Sequence, residues 1–119
     1  MPVAVVYGIE RCDQVRKARR WLDTHAIEHK FHDFRRDGLD PATLDRWLAH
    51  LPWDSLVNRR SATWRKLEAP RRAAVVDLAS ARDELLANPT LVRRPVLESG
   101  KLLIVGFSDA LYGSHFHTP

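Results

Sequence analysis

The 119-residue chain contains a single cysteine, Cys12, and no long apolar run. One cysteine cannot form a disulfide within the chain, and it excludes a cysteine-rich zinc site. A membrane-spanning helix needs about 20 apolar residues, and no run approaches this length. A lone thiol is typical of a reducing compartment, and no basic-then-apolar leader precedes the first predicted strand. The expected location is therefore the cytoplasm, with no membrane partner.

The sequence also lacks a glycine-rich phosphate loop and a candidate pair of catalytic acids. Its formal net charge is +4, but the arginines are scattered and interleaved with Asp and Glu. Such charges are typical of solvated helix faces and suit a small anionic substrate, so nucleic acid is not the expected partner. The tryptophans suit core packing better than a base-stacking platform. They are Trp21, Trp47, Trp53 and Trp64.

Hydrophobic periodicity predicts a strand, a helix and a second strand in the first third of the chain. The apolar, β-branched run at residues 3–7 indicates a buried strand, and Gly8 breaks it. From Asp13 to about His25, apolar residues recur at helical spacing among Arg, Lys and Asp. Residues 27–34 alternate weakly and indicate a second strand. A strand, helix and strand of these lengths predict a βαβ unit with parallel strands.

The middle of the chain predicts several short helices. Residues 35–39 form a predicted loop, and Asp40 with Pro41 has the N-cap and first-turn chemistry of a helix start. Ser61 or Thr63 is a candidate cap for another short helix. The predicted helical segments are 41–51, 53–56, a segment ending at 67, 73–79 and 81–87.

The last part of the chain changes character. Residues 96–98 and 101–105 indicate two short strands around a turn at Gly100, which predicts an antiparallel hairpin. Ser108 can cap a last helix that runs to about Phe116.

The whole order is β-α-β, a helical block and then β-β-α, which is the thioredoxin order with an insertion in the middle. We therefore predict an α/β protein of thioredoxin-like fold with a four-stranded mixed sheet. At this length a single domain is expected. Its thioredoxin-like parts are predicted at about 1–36 and 90–116, and the helical insertion at about 40–88.

Cys12 lies where the first strand is predicted to give way to the first helix. A thiol there is near the positive end of the helix dipole, and Arg11 and Arg16 are cations close in sequence. Both effects favour the thiolate, the reactive form; the alternative is an inert packing cysteine. Asp13 disfavours the thiolate if its carboxylate points inward, but not if it caps the helix, and the sequence leaves both open.

Four groups of residues, in order and covering nearly the whole chain, carry a family resemblance. They are YGIERCD at 7–13 with RKAR and WL up to 22, LVNRRSATWRKL at 56–67, VRRPVL at 92–97 and VGF at 105–107. Together they resemble the arsenate reductase (ArsC)/Spx family, and most closely its YffB-type branch, described as glutathione-dependent thiol reductases.

The resemblance implies roles for several residues near the predicted junction. Cys12 matches the nucleophile, which attacks an oxyanion or accepts a thiol adduct. Arg94 matches an arginine that holds the anion, and Pro95 matches a proline that is typically cis in thioredoxin-like folds. A cis bond there places the backbone of Arg94 beside the thiol. Arg11 and Arg16 complete the predicted substrate-binding or glutathione-binding set in this region.

The resemblance also implies an anion-binding arginine in the middle loop, but its register is open. An alignment on Trp64 places Arg60 at the Spx-type arginine and Asn58 at the arginine of arsenate reductases proper. We prefer Arg60 for this role and keep Arg59 open.

The chain departs from the family pattern in three places. Arsenate reductases carry a Cys-Gly-Thr-Ser type of loop, where this chain has CDQV at 12–15. They also use a third arginine after the last strand, where this chain has GFS at 106–108. Spx-type regulators carry a Cys-x-x-Cys pair, and here the second position is Val15. These departures argue against arsenate as the natural substrate and against a redox switch of the Spx type.

A lone thiolate cannot resolve its own adduct, so an outside thiol must do so, and glutathione is the abundant cytosolic candidate. We expect a thiol reductase with no bound cofactor, glutathione as co-substrate, and a small oxyanion or mixed disulfide as substrate. The alternative is an Spx-like regulator that binds RNA polymerase without catalysis. His115 and His117 lack a third ligand in sequence, so no metal is expected.

Overall fold

The computed structural model describes residues 3–116, which form two compact units. Unit 1 comprises the described residues up to 33 and from 94 onward, and unit 2 comprises residues 34–93. Unit 1 contains β1 (Ala4–Gly8), α1 (Asp13–Thr24), β2 (His29–Asp33), β3 (Val96–Ser99), β4 (Leu102–Val105) and α8 (Asp109–His115). Unit 2 contains α2 (Phe34–Asp37), α3 (Pro41–His50), α4 (Trp53–Leu56), α5 (Ala62–Lys66), α6 (Ala69–Ala73), α7 (Leu78–Ala87) and a 3-10 turn at Pro89–Leu91.

The sheet of unit 1 has the strand order β2-β1-β3-β4. β1 runs parallel to β2, with Gly8 opposite Asp33, and antiparallel to β3, with Tyr7 opposite Val96. β3 and β4 form the predicted antiparallel hairpin. The four-stranded mixed sheet with its βαβ and ββα parts confirms the thioredoxin-like fold expected from the sequence.

The core of unit 1 forms because α1 is amphipathic. Val15, Ala18 and Leu22 lie on one face of this helix and are completely buried. They pack in one cluster with residues of three strands and α8. The strand and α8 members are Ala4, Val6, Leu97, Ile104 and Tyr112.

Local capping signals set several helix starts as predicted. Pro41 occupies the first turn of α3, and Ser61 caps α5 by accepting a hydrogen bond from the Trp64 backbone N–H at 3.1 Å. Ser108 caps α8 in the same way, with the Leu111 N–H at 3.0 Å. Asp40 lies at the N-cap position of α3, but its side chain makes no capping hydrogen bond.

The predicted helix 73–79 is wrong. α6 spans Ala69–Ala73 with Pro70 in its first turn, and a new helix begins after Asp77. The Asp77 carboxylate accepts from the Ser80 N–H at 2.9 Å, and the Ser80 hydroxyl oxygen accepts from the Asp77 N–H at 3.1 Å. This capping box fixes the start of α7 at Leu78, three residues before the predicted start.

The predicted loop 35–39 is also partly wrong, because one helical turn, α2, occupies its first half. Phe34 is buried, and the Gly38 N–H donates to the Phe34 carbonyl at 3.0 Å. Gly38 then ends the turn with a φ of +71°, which favours glycine.

Two further sequence expectations concern aromatic and histidine residues. Trp47 is completely buried as predicted, but the other tryptophans are only partly buried. Of the pair His115 and His117, the second lies outside the described residues.

No helix within residues 3–116 is long and apolar enough to cross a membrane.

Candidate active site around Cys12

Cys12 is the N-cap residue of α1, four positions after the end of β1. Its backbone is extended, with φ −77° and ψ 125°, as is usual for an N-cap. The Cys12 N–H donates to the Ile9 carbonyl at 3.2 Å, and the Cys12 carbonyl accepts from the Arg16 N–H at 3.0 Å. The backbone that carries the thiol is therefore held on both sides.

Cys12 stands at the N-cap position, where a residue with a capping oxygen is usual. Cys12 is a free, half-buried cysteine that packs against the core cluster of unit 1. Its side chain makes no capping hydrogen bond. The first backbone N–H groups of α1 have no acceptor inside the helix, so they and the helix dipole favour an anion at this place. A thiolate, or an anionic group bound by it, matches this environment.

Asp13 is the first residue of α1 and does not cap it. Its carboxylate forms a 2.7 Å ion pair with the Arg16 guanidinium, and both side chains are more than half exposed. The hydrogen bond and charge of Arg16 lower the pKa of Asp13 below its usual range. The alternative that the sequence left open is thereby settled: Asp13 is an exposed anion paired with Arg16, and this pairing leaves Arg16 less positive charge to offer a substrate.

Arg94 and Pro95 lie at the same end of the sheet as Cys12. β3 begins at Val96, opposite Tyr7, so the residues before β3 lie next to the residues after β1. Arg94 is half-buried, Pro95 is buried, and the peptide bond between them is cis. The Pro95 carbonyl accepts from the Gly106 N–H at 2.8 Å.

A buried carboxylate that sequence reasoning missed also belongs to this end of the sheet. Asp33 is the last residue of β2, is 7% exposed, and lies opposite Gly8 in the strand register. Its Oδ2 accepts from the backbone N–H of Glu10 at 3.3 Å, in the loop that leads to Cys12. The available signal was an acidic residue at the predicted end of a strand parallel to the cysteine's own strand.

The remaining predicted arginines differ in their surroundings. Arg11 is exposed in the loop before Cys12. Arg59 and Arg60 belong to unit 2. The Arg59 guanidinium lies over two indole rings, 5.8 Å from the centroid of Trp53 and 5.6 Å from that of Trp64. The Arg60 backbone N–H donates to Asn58 Oδ1 at 3.0 Å, while its exposed side chain has no hydrogen-bonding or ionic partner within residues 3–116.

Unit 1 therefore brings five of the predicted site residues to one end of the sheet. They are Cys12, Arg11, Arg16, Arg94 and Pro95. The fold and this arrangement define a thioredoxin-like protein with one cysteine at a helix N-terminus. The model of the ArsC family matches residues 7–114, so the chain belongs to the ArsC family.

Comparison with individual proteins agrees with this assignment. An uncharacterized protein of Haemophilus influenzae is 47% identical over 93% of this chain and 96% of its own length. The structure of a protein named YFFB is 41% identical and covers 94% of this chain and 97% of its own, with a TM-score of 0.88. The structure of an arsenate reductase (ArsC) related protein from Brucella melitensis is 47% identical. It covers 98% of this chain and 96% of its own, with a TM-score of 0.74.

More distant relatives have a different described role. A global transcriptional regulator Spx of Listeria innocua is 29% identical over 90% of this chain and 82% of its own length. At the second position of the Spx-type Cys-x-x-Cys pair this chain has Val15, which is completely buried in the core of unit 1.

Proposed function

We propose that the chain is a glutathione-dependent thiol reductase of the reducing cytoplasm, with Cys12 as its nucleophile. The observation that carries this proposal is the position of Cys12, half-buried at the N-cap of a 12-residue helix whose first N–H groups lack a side-chain cap. The family and its arsenate reductase-related members support reductase chemistry at this position.

The reaction follows from the single cysteine. The Cys12 thiolate attacks the glutathione sulfur of a mixed disulfide, a Cys12–glutathione disulfide forms, and the substrate leaves as a thiolate that takes up a proton. A second glutathione thiolate then attacks the glutathione sulfur of this adduct, which releases oxidised glutathione and restores the Cys12 thiolate. Each step exchanges one S–S bond for another. Per substrate, one free glutathione thiol is oxidised and the substrate thiol is released in reduced form, because the other half of the oxidised glutathione comes from the mixed disulfide.

The arginines have a defined task in this scheme. Glutathione carries two carboxylates, and a guanidinium binds a carboxylate with two parallel hydrogen bonds. Arg94, which precedes β3 at the Cys12 end of the sheet, is proposed to bind one of them. For Arg60 of the middle loop, the family resemblance implies an anion-binding role. The same groups would bind an oxyanion substrate in place of a carboxylate.

Intact-mass measurement after incubation with oxidised glutathione tests the proposal. We expect one glutathionyl group on the wild-type chain at neutral pH and its loss when reduced glutathione is added. Cys12→Ser is the matched control, because serine is a better N-cap than cysteine and preserves the fold. Absence of the adduct from folded wild-type protein would contradict the proposal.

The relationship with Spx supports a second candidate, a regulator that binds RNA polymerase without catalysis. The observation in its favour is the 29% identity to Spx over 90% of the chain. Pull-down with purified RNA polymerase tests it, using the wild type and Cys12→Ser. Equal retention of both forms would favour the regulator, whereas no retention would exclude it. Because Val15 fills the second cysteine position, binding is not expected to respond to oxidants.

A further inference from the structure

An open groove of about 820 Å³ runs along α1 in unit 1. It is called the α1 groove here, and its lining includes four residues of α1 and two that follow β4. They are Gln14, Lys17, Arg20, Trp21, Phe107 and Asp109. The volume falls in the range of about 300–1,000 Å³ that is usual for ligand sites, although the groove is open along its length.

Aromatic rings that pack against one another form an apolar surface in the α1 groove. The Trp21 ring is stacked on His25, with 3.8 Å between centroids, and meets the Tyr112 ring edge-on at 5.5 Å. Phe107 also meets Tyr112 edge-on, at 4.7 Å. Tyr112 is completely buried, and burial raises the pKa of its phenol far above the usual range. Both Trp21 and Phe107 are thus fixed against one buried ring.

The charge of the α1 groove is mainly positive. Lys17 and Arg20 are exposed, and Arg20 has no hydrogen bond or ion pair with any residue between 3 and 116. Lys17 lies near the Asp13 carboxylate, which is already bonded to Arg16. Against these cations and His25, the lining contains one carboxylate, Asp109. The groove therefore favours an anionic ligand that also has apolar surface.

One end of the α1 groove lies at the Cys12 end of the sheet, because Phe107 follows β4, whose last residue Val105 pairs with Val96. Gln14 lines it and lies two residues after Cys12, whereas His25 lines its far end. At 1.5 Å per residue the distance from Gln14 to His25 along the helix is about 16 Å. An extended chain rises about 3.3 Å per residue, so the groove has the length of about five residues of an extended peptide. Glutathione, a tripeptide held by its sulfur at Cys12, is too short to fill it.

We propose that the α1 groove binds the acidic polypeptide segment beside the glutathionylated cysteine of a protein substrate. This inference rests on the proposed function and assigns it a substrate class. The Cys12 thiolate takes the glutathionyl sulfur, the protein thiolate leaves and is protonated, and a second glutathione restores Cys12 as described above. The acidic residues meet Lys17 and Arg20, and apolar side chains meet Trp21 and Phe107.

Three glutathione mixed disulfides test the inference. One is a short peptide with glutamates after the cysteine, the second has lysines in place of the glutamates, and the third is the small adduct of mercaptoethanol. Arg20→Glu reverses a charge in the groove. Lys101→Glu is the matched control, because it makes the same change of net charge at an exposed residue of the β3–β4 turn, which does not line the groove. Arg20→Lys keeps the charge.

For Arg20→Glu we expect KM for the acidic peptide to rise on the order of tenfold, with kcat unchanged and the mercaptoethanol adduct reduced as in the wild type. Lys101→Glu and Arg20→Lys should behave as the wild type. Equal KM for the acidic and basic peptides, or equal effects of Arg20→Glu and Lys101→Glu, would overturn the inference. Reduction of the mercaptoethanol adduct in that case would leave the proposed function intact.

A binding measurement keeps the inference testable even if no disulfide is turned over. Chemical-shift titration of the Cys12→Ser protein with the acidic peptide, its cysteine replaced by serine, should shift Lys17, Arg20 and Trp21, and the shifts should weaken with salt. Absence of shifts at these three residues, or a stronger response in the groove to a single-stranded oligonucleotide, would overturn the inference.

Discussion

The backbone N–H of Glu10 donates to the buried carboxylate of Asp33 at 3.3 Å. This hydrogen bond joins the end of β2 to the loop that carries Cys12 toward α1. The loop is otherwise fixed by the bond from the Cys12 N–H to the Ile9 carbonyl. Asp33 thus holds the backbone of the loop that carries Cys12.

Replacement of Asp33 tests this role. Asp33→Ala should lower the free energy of unfolding by about 1–2 kcal/mol, because the Glu10 N–H loses its acceptor. Asp33→Asn keeps a side-chain carbonyl oxygen at the same distance from the backbone, so its free energy of unfolding should fall by less. Urea unfolding measures both, and Glu28→Ala, at an exposed residue just before β2, is the control. Equal losses for Asp33→Ala and Asp33→Asn would show that the acceptor is not what matters.

The parts of the structure that the sequence predicted are those set by local chemistry. Ser61 and Ser108 cap their helices because the cap bonds to a backbone N–H three residues away. The pairing of β1 with β2 follows from the length of the βαβ unit. The start of α7 was missed because an apolar run before Asp77 hid a local capping box.

The parts that were missed depend on contacts between residues far apart in sequence. Asp33 gains its role from Glu10, 23 residues earlier, and no local pattern records that contact. Trp53 and Trp64 were expected to pack in the core, but both are half-buried. Their indole rings instead contact the guanidinium of Arg59, which lies between them in sequence. Pairing of this kind is decided by tertiary packing.

The contact between Gly8 and Val15 gives a second prediction, on stability. A Cβ on Gly8 would overlap Val15 Cγ2, and Val15 is a core residue of α1. Gly8→Ala should therefore lower the free energy of unfolding by about 1–3 kcal/mol, because the core becomes overpacked. Val15→Ala removes the overlapping methyl groups. The double variant should therefore lose less free energy of unfolding than the two single variants lose together.

The control for this pair is a glycine with free space around it. Nothing lies within 4 Å of a Cβ built on Gly113, which is an exposed residue of α8. Gly113→Ala should raise stability by roughly 0.5–1 kcal/mol, as expected for alanine over glycine in a helix. Strict additivity of Gly8→Ala and Val15→Ala in denaturant unfolding would contradict the proposed close contact.

Asp77 supplies a prediction on pH. The backbone N–H and the hydroxyl of Ser80 hydrogen-bond its carboxylate and lower its pKa from the usual 3.8. A lowered pKa in the folded state means that the charged cap stabilises the fold above pH 3.8. That contribution is lost as the pH falls through the lower, folded-state pKa. Asp77→Ala should lower Tm at neutral pH, and the difference in Tm from the wild type should shrink as the solution is acidified into this range.

The measurement is thermal unfolding of the two proteins over a pH series. Asp83→Ala is the matched control, because Asp83 lies on an exposed face of the same helix and does not cap it. Its difference from the wild type should not follow the same acid transition. A Tm difference for Asp77→Ala that stays constant down to the acid limit would show that the charge of the cap makes no contribution.

The two neighbouring arginines of unit 2 are predicted to separate into a structural and a binding residue. Because the Arg59 guanidinium contacts two indole rings, Arg59→Ala should cost about 1 kcal/mol of unfolding free energy. Arg60→Ala should leave stability unchanged within about 0.5 kcal/mol, since its side chain is exposed and unpaired among residues 3–116. It should instead slow glutathionylation of Cys12 roughly tenfold, as expected for the loss of one charged hydrogen-bond donor.

Glutathionylation rates and urea unfolding of Arg59→Ala and Arg60→Ala, measured side by side, check this division. Arg65→Ala, at an exposed residue of α5, controls for the loss of one positive charge from unit 2. If Arg59→Ala slows the reaction more than Arg60→Ala while both remain folded, the assignment is reversed. The anion-binding arginine of the middle loop would then be Arg59, and the indole rings of Trp53 and Trp64 would serve to orient its guanidinium toward the ligand.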